Sequence, residues 1–269
     1  MQDDNYLNIR DNFVVKSNDL IQKSRFSLTL QQQKIMLYLI SQITPFDDDF
    51  KLYTFSISEF CKVCGIDEGN GKNYMNLKTA IKEIADKSLW IKLKNGQQTL
   101  VRWIEKPYID EMSGEIQIKL DNDMRPYLLH LQSNFTKYEL IWTLHFKSKF
   151  TIRLYELVKS IHYYDLETYK KRYTVDELRE LLDAEDYTEY YDFKRRVLVP
   201  AVKEINLYSD KTVEFEEIKK GRKVVKIELS ISSKEGLKDI QIRSGIEKEM
   251  GTDRPTLWDE LVEKGYAEE

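Results

Sequence analysis

The sequence predicts an α+β protein made of two tandem winged helix-turn-helix domains. Three observations lead to this prediction: the order of helices and strands, a second copy of that order, and hairpins whose apolar residues alternate. The chain has 269 residues. At about 150 residues per domain, this length fits two domains.

The first half contains a helix, a strand, two further helices and two hairpins. The first helix, QQQKIMLYLISQI, is preceded by Thr29, a good N-cap. A short strand, LYTFSI, leads to the helix SEFCKVC, for which we expect Ser58 as the cap and Gly65 as the end. The third helix, NYMNLKTAIKEIADKS, precedes hairpins that turn at Asn95-Gly96 and near Ser113-Gly114. This order is typical of a winged helix, with the first hairpin as its wing.

The second half repeats the order. It reads as a helix (SKFTIRLYELVKSIHYY), a strand (YTV), a helix (DELRELL), a longer helix (YDFKRRVLVPAVKEINL) and a hairpin (TVEFEEI, KKGRK, VVKIELSI). We expect Asp176 to cap DELRELL. Aligning Ile57 with Val175 also brings AIKEI onto AVKEI after a three-residue difference in loop length. The repeat therefore indicates a duplicated domain.

Charge is strongly segregated along a chain whose net charge is only -4. Residues 235–269 hold ten acids and five bases, which leaves 37 bases and 36 acids in residues 1–234. Asp176 to Asp192 holds eight acids and one arginine, whereas Lys219 to Lys226 holds five bases and no acid. Local basic patches, rather than net charge, decide whether a surface attracts phosphates.

The composition excludes several classes of protein. Glycine and proline are scarce, at 10 and 5 residues, which excludes collagen-like and low-complexity chains. No apolar run approaches the ~20 residues of a membrane-spanning helix, and the polar, acidic start is unlike a secretory signal. Two cysteines make no disulfide framework. We therefore expect a soluble, cytoplasmic protein with no membrane partner.

A search for catalytic motifs finds no catalytic residues, no metal site and no cofactor site. Ile66 to Asn73 lacks the first glycine and the hydroxyl residue of a phosphate loop. The three histidines have no metal-ligand spacing, and no His-x-His of a nicking enzyme occurs. Cys61 and Cys64 form a C-x-x-C without the second half of a zinc site, and packed apolar side chains are the simpler interpretation. We expect no enzyme activity.

Each half has a helix with polar residues opposite its apolar face. In the first half, the residues expected to contact DNA are Lys72, Asn76, Thr79 and Lys82, because lysine and threonine suit phosphates and asparagine can pair with adenine. In the second half they are Lys194, Arg195, Arg196, Val199 and Lys203, because arginine reads guanine and valine can contact a thymine methyl. Pro200 should kink this helix. An ordinary solvated helix face is the alternative for each.

The hairpins complete the predicted nucleic-acid surface. In the second wing, Gly221 lies at the tip between Lys219, Lys220, Arg222 and Lys223, which fits phosphate or minor-groove contact. Lysines that protect an edge strand are the alternative. The first wing carries a weaker signal, from Lys92, Lys94 and Arg102.

Three segments resemble the RepB/Rep_3 family of plasmid replication initiators. They are VVKSNDLIQKSRFSLTLQQQKIMLYLISQI, FKSKFTIRLYELVKS and FKRRVLVPAVKEIN, within a match over about residues 10–232. The resemblance implies two winged-helix domains that bind double-stranded DNA at repeated origin sites, called iterons. It also implies monomers that start replication, dimers that repress the initiator's own promoter, and the host DnaA protein and replicative helicase as partners.

We therefore expect residues 1–128 to form a first domain for dimerisation and DNA contact, and residues 129–233 a second that is the main iteron reader. Residues 234–269 should form an acidic tail with one short helix at Leu257–Lys264. The strands Leu100–Ile104 and Glu115–Leu120 hold more apolar residues than a small wing needs, so we place the dimer surface there. A double winged-helix transcriptional regulator without a replication role remains the alternative, since it needs the same surfaces.

Overall fold

Two compact units make up the chain, Met1–Leu140 and Ile141–Glu269. The computed structural model describes residues 4–66, 71–93, 95–161, 168–251 and 255–267, with backbone only for residues 4–7 and 71–74. Both units combine helices with antiparallel strands, which confirms the α+β prediction.

The first unit contains the predicted helix, strand, helix, helix and hairpins, with further strands around them. Two 3-10 helices span Asp4–Asp11 and Asn122–Met124. The helices are α1 (Asn18–Lys23), α2 (Leu30–Ile40), α3 (Ile57–Cys64), α4 (Gly71–Asp86) and α5 (Arg125–Leu128). The strands are β1 (Phe13–Ser17), β2 (Ser24–Arg25), β3 (Tyr53–Ser56), β4 (Ser88–Lys92), β5 (Gln98–Arg102), β6 (Tyr108–Ile109), β7 (Glu115–Ile118) and β8 (Phe135–Glu139).

The second unit repeats the order and then adds two helices. Its helices are α6 (Ile141–Leu144), α7 (Lys149–Ser160), α8 (Val175–Leu182), α9 (Tyr190–Phe193), α10 (Val199–Tyr208), α11 (Leu237–Glu249) and α12 (Leu257–Glu263). A π-helical segment, Lys194–Leu198, joins α9 to α10. The strands are β9 (Thr168–Thr174), β10 (Lys211–Lys220) and β11 (Lys223–Ser233).

Helix α2 is the centre of the first core. Thr29 caps it as expected: its hydroxyl accepts from the Gln32 N–H, and the Gln32 side chain accepts from the Thr29 N–H. The helix is buried on every side from Gln32 to Ile40, except at Lys34. It is therefore an interior helix, on which the other elements of the unit pack.

The caps of α3 and α8 lie two residues before those expected from the sequence. Ser56 caps α3 in place of Ser58, and Thr174 caps α8 in place of Asp176. The reason is that Ile57 and Val175 are already helical, so the preceding hydroxyl meets the free N–H groups. The two helices start at the residues that the repeat aligned, which agrees with a duplication.

We expect Thr174→Ala to lower the free energy of unfolding by about 1 kcal/mol, because it removes a capping box. Asp176→Ala is the matched control, since Asp176 is an exposed helical residue paired only with Arg179 within the described residues. Urea unfolding followed by circular dichroism measures both variants. An equal or larger loss in Asp176→Ala would restore Asp176 as the cap.

The sheet of the second unit has the winged-helix topology. Its strand order is β10-β11-β9. Strand β9, which lies between α7 and α8 in the chain, therefore pairs with β11, the second strand of the hairpin. Along β11, Ile227, Leu229 and Ile231 are fully buried, as their alternation predicts. The wing thus stands on a strand that is anchored in the core.

The first unit uses its hairpins differently from the prediction. The strand equivalent to β9 is β3, and it pairs with β7 in the order β3-β7-β6. The hairpin β4–β5 instead pairs with β2. By strand pairing, β6–β7 occupies the wing position and β4–β5 is an extra hairpin, so the assignment of β4–β5 as the first wing is wrong.

The strands expected to form a dimer surface turn every second residue into the core of their own unit. Val101, Ile104, Ile116, Ile118 and Leu120 are all buried, and the bridge between Ile104 and Leu120 joins the two hairpins. Their apolar content is explained by packing within the unit. The apolar excess that suggested a dimer interface on Leu100–Ile104 and Glu115–Leu120 is thus accounted for within the unit, and the interface itself stays a prediction.

The division between the units falls later than residue 128. Strand β8 pairs with β1 over Phe13–Ser17, so the chain up to Leu140 packs with the first unit. At the other end, residues 234–269 are part of the second unit and not a separate tail. Ile246 is buried, and Glu249 pairs with His145 at 3.0 Å. The expected short helix is present as α12, whereas α11 was not predicted.

Candidate nucleic-acid interface

The helical stretch α9, π segment and α10 has one apolar face and one exposed face. The apolar face is fully buried and consists of Phe193, Val197, Ala201 and Ile205. On the opposite face, Arg195, Arg196, Val199 and Lys203 are exposed, as predicted. The helix is thus held rigidly by its core face while it presents two arginines and a valine to solvent.

A π turn precedes Pro200. The Val199 N–H donates to the Lys194 carbonyl, five residues back, in place of the usual four. Proline has no N–H, so an α-helix would leave the Arg196 carbonyl without its donor at this point. The disturbance expected at Pro200 therefore takes the form of a π turn. This turn contains Arg195 and Arg196, and π turns are frequent at functional sites.

The second wing is a basic hairpin tip. Strands β10 and β11 are joined through Gly221 and Arg222, and Gly221 has the positive φ of 63° that suits glycine at such a turn. The four bases of the tip, Lys219, Lys220, Arg222 and Lys223, are exposed. Such a tip can approach phosphates closely.

Carboxylates of the same unit lie beside these bases. Asp192 lies 3.3 Å from both Arg195 and Arg196. Glu217 on β10 lies 2.6 Å from Lys194, and this hydrogen bond lowers the pKa of Glu217. This ion pair connects the helix to the wing. Lys194 is therefore less available for contact with DNA than Arg195 or Arg196.

A further basic strand was missed in the sequence. Lys170, Lys171 and Arg172 on β9 are exposed next to β11, and Lys170 and Arg172 form ion pairs with Glu228. The signal was three consecutive bases in YKKRYT. Lys170 and Arg172 share one face of the strand and extend the basic surface of the second unit along β9, whereas Lys171 lies on the other face.

The first unit has a smaller exposed polar set. On α4, Asn76, Thr79 and Lys82 are exposed opposite the buried residues Leu77, Ile81 and Ile84, as predicted. Lys92 and Arg102 are exposed on β4–β5. Lys94 and the side chain of Lys72 lie outside the described residues.

The hairpin in the first unit's wing position is acidic at its tip. The turn contains Asp110 and Glu111, and Glu111 forms an ion pair with Lys78 of α4. These carboxylates repel phosphates. The candidate contacts of this unit with nucleic acid that were expected from the sequence therefore lie on α4 and β4–β5, away from this tip.

The part of the chain that the structure describes contains no cluster of candidate metal ligands. No group of three His, Cys, Asp or Glu side chains is close enough to hold a metal there. Cys61 and Cys64 are buried on α3, and burial raises the pKa of the Cys64 thiol to about 12. Among the described residues, no helix has both the length and the hydropathy to cross a bilayer.

Two winged-helix units, each with an exposed helix face and one of them with a basic wing, define a double winged-helix protein. Family models agree with this class: "Initiator Replication protein, WH1" matches residues 13–159, and "Initiator Rep protein, WH2" matches residues 174–231. The chain belongs to this family, the RepB/Rep_3 plasmid replication initiators.

Two known proteins are similar to this chain. A replication initiation protein of Escherichia coli is 26% identical over 207 residues, which cover 73% of this chain and 63% of that protein. The chain thus matches less than two thirds of that relative. The Pi initiator protein, solved in complex with iteron DNA, has a TM-score of 0.70 at 20% identity and covers 84% of this chain and 99% of its own. This likeness shows the same fold.

Proposed function

We propose that this chain is a plasmid replication initiator that binds origin iterons as a monomer through its two winged-helix units. The observation that carries the proposal is the exposed set Arg195, Arg196 and Val199 beside a wing tip of four bases. Membership of the initiator family supports it, and so does the shared fold with an initiator solved on iteron DNA.

The second unit is the main reader of sequence in this proposal. Its arginines would enter the major groove, where each can pair with O6 and N7 of guanine, while Val199 contacts a thymine methyl. The wing tip would follow the phosphates or the minor groove and fix the position of the helix. The basic strand β9 would add further phosphate contacts.

The first unit would contact a neighbouring stretch of the same site. Its candidates are Asn76, Thr79 and Lys82 on α4, with Lys92 and Arg102 on β4–β5, and the prediction for Lys72 and Lys94 stands. We expect the two units to contact two segments of one iteron about one helical turn apart.

The remaining steps of the proposed replication cycle are those that the family resemblance implies. Bound monomers would help to open the origin in the cytoplasm and to recruit the host DnaA protein and replicative helicase. Dimers would repress the initiator's own promoter. Rising protein concentration would then convert initiator into repressor by mass action.

Footprinting on the plasmid that carries the gene tests the proposal. The expected result is protection of direct repeats beside an AT-rich stretch. Protection limited to an inverted repeat at a promoter would instead identify the alternative, a double winged-helix transcriptional regulator without a replication role.

Binding should depend steeply on salt. Each phosphate contact adds about -0.9 to the slope of log K against log salt, because counterions are released from DNA. Replacing one basic residue of the wing, as in Lys220→Ala, should make this slope less negative by about 1. Fluorescence anisotropy with a labelled repeat at several salt concentrations measures both, and nearly salt-independent binding would contradict the proposed phosphate contacts.

A further inference from the structure

One carboxylate serves both exposed arginines of the helix. Asp192 lies in α9, three residues before Arg195 and four before Arg196, and its Oδ1 atom lies 3.3 Å from Nη2 of the first and Nε of the second. The three side chains are 42%, 54% and 59% exposed. The arrangement is on the surface, so DNA has access to it.

The geometry leaves the arginines able to bind a base. A guanidinium has five N–H donors in a plane. Arg196 uses Nε toward Asp192, and its two Nη groups supply four more N–H donors, enough for the O6 and N7 atoms of one guanine. Arg195 also lies over the Tyr191 ring, with its guanidinium carbon 5.5 Å from the ring centre. Contacts of this kind reduce the freedom of a long side chain before binding.

The same carboxylate opposes contacts with the DNA backbone. Non-specific affinity for DNA comes almost wholly from cations that neutralise phosphates. With Asp192 beside them, Arg195 and Arg196 carry a local charge of one and not two. A guanine edge is neutral, so it does not repel Asp192 as a phosphate does.

We infer that Asp192 is a specificity-determining positioning residue, which orients Arg195 and Arg196 toward guanine edges and weakens their attraction to phosphates. The inference rests on the proposed function and deepens it at the same site. It assigns a purpose to one acid of the acidic stretch that the DNA-binding surface otherwise leaves unexplained.

The test compares Asp192→Asn with the wild type on one cognate repeat and on random duplex of equal length. The Asp192→Asn variant should bind random DNA about threefold more tightly and the cognate repeat about threefold more weakly than the wild type. The ratio of cognate to random affinity therefore falls about tenfold. Asp192→Glu keeps the carboxylate and should keep most of the ratio. Because Asp192 is on the surface, we expect these variants to keep the wild-type circular-dichroism melt.

Asp186→Asn is the matched control. It removes the same charge from an exposed position of the same acidic stretch, and no described contact joins Asp186 to the arginines. It should shift both affinities alike and leave their ratio unchanged. In an Arg195→Ala, Arg196→Ala background, Asp192→Asn should no longer change the ratio, because Asp192 acts through these two side chains.

The outcomes separate the inference from the proposed function. An unchanged ratio in Asp192→Asn, or an equal fall in Asp186→Asn, would overturn the role of Asp192. A wild type that binds the repeats and random DNA equally would instead overturn the proposed function.

Discussion

Replacing Arg195 or Arg196 with alanine is expected to weaken binding to the cognate repeat by about 1–3 kcal/mol and to relax the preference at one or two base pairs. The reason is that both side chains are exposed on a helix whose opposite face is fully buried, so they can reach base edges without moving the helix. Competition binding with single-base variants of the repeat measures the loss at each position.

The wing supplies the control for this prediction. Lys220→Ala and Arg222→Ala remove the same positive charge from the hairpin tip, and they should weaken binding to cognate and random DNA nearly alike. If the two helix variants and the two wing variants lost the same affinity for cognate and for random DNA, the division into a reading helix and a phosphate-binding wing would be wrong.

Ile118→Asp is expected to unfold the first unit. Ile118 is fully buried on β7, which pairs with both β3 and β6. Shortening a buried isoleucine costs about 2–5 kcal/mol, and an unpaired buried carboxylate adds to this cost. Together these terms are comparable with the ~5–15 kcal/mol that stabilises a whole domain. Thermal unfolding by circular dichroism measures the effect.

Leu100→Asp is the matched control, because Leu100 lies on β5 of the same unit and is half exposed. It should leave the fold intact. Sedimentation of the Ile118→Asp variant provides the opposing outcome: a folded protein that no longer self-associates would return Glu115–Leu120 to the dimer surface and contradict its place in the core.

Local patterns in the sequence were sufficient for the helices of the candidate interface and for their buried faces. Phe193, Val197, Ala201 and Ile205 recur at intervals of four, and all four are buried. An α-helix repeats every 3.6 residues, so an interval of exactly four is better matched where a wider turn intervenes. Together with Pro200, this spacing was a signal of the π turn.

The errors at the caps had a signal in the sequence too. Thr174 and Glu177 have the spacing of a capping box, which favours Thr174 over Asp176. The pairing of β3 with β7 had no such local signal. About sixty residues separate the two strands, and the strands between them are alternative pairing partners for β3. Long-range pairing therefore decided which hairpin became the first wing.

The basic strand β9 shows why a site can be missed when its elements are considered one by one. Its bases precede the helix-turn-helix in the chain, far from the hairpin that they adjoin in space. Only the pairing of β9 with β11 places Arg172 beside Glu228 and makes the strand part of the wing surface.

The π turn bears on how this chain is aligned with its relatives. A π turn takes up one residue more than an α-helical turn for about the same rotation, so in an uninterrupted α-helix with the same number of residues everything beyond this point would be rotated by about 100°. Arg195 and Arg196 lie within this segment, whereas Lys203 lies beyond it. A relative with an uninterrupted helix of equal length would therefore present different side chains at the same alignment columns, whereas a relative that lacks one residue in this segment could keep the same faces without a π turn.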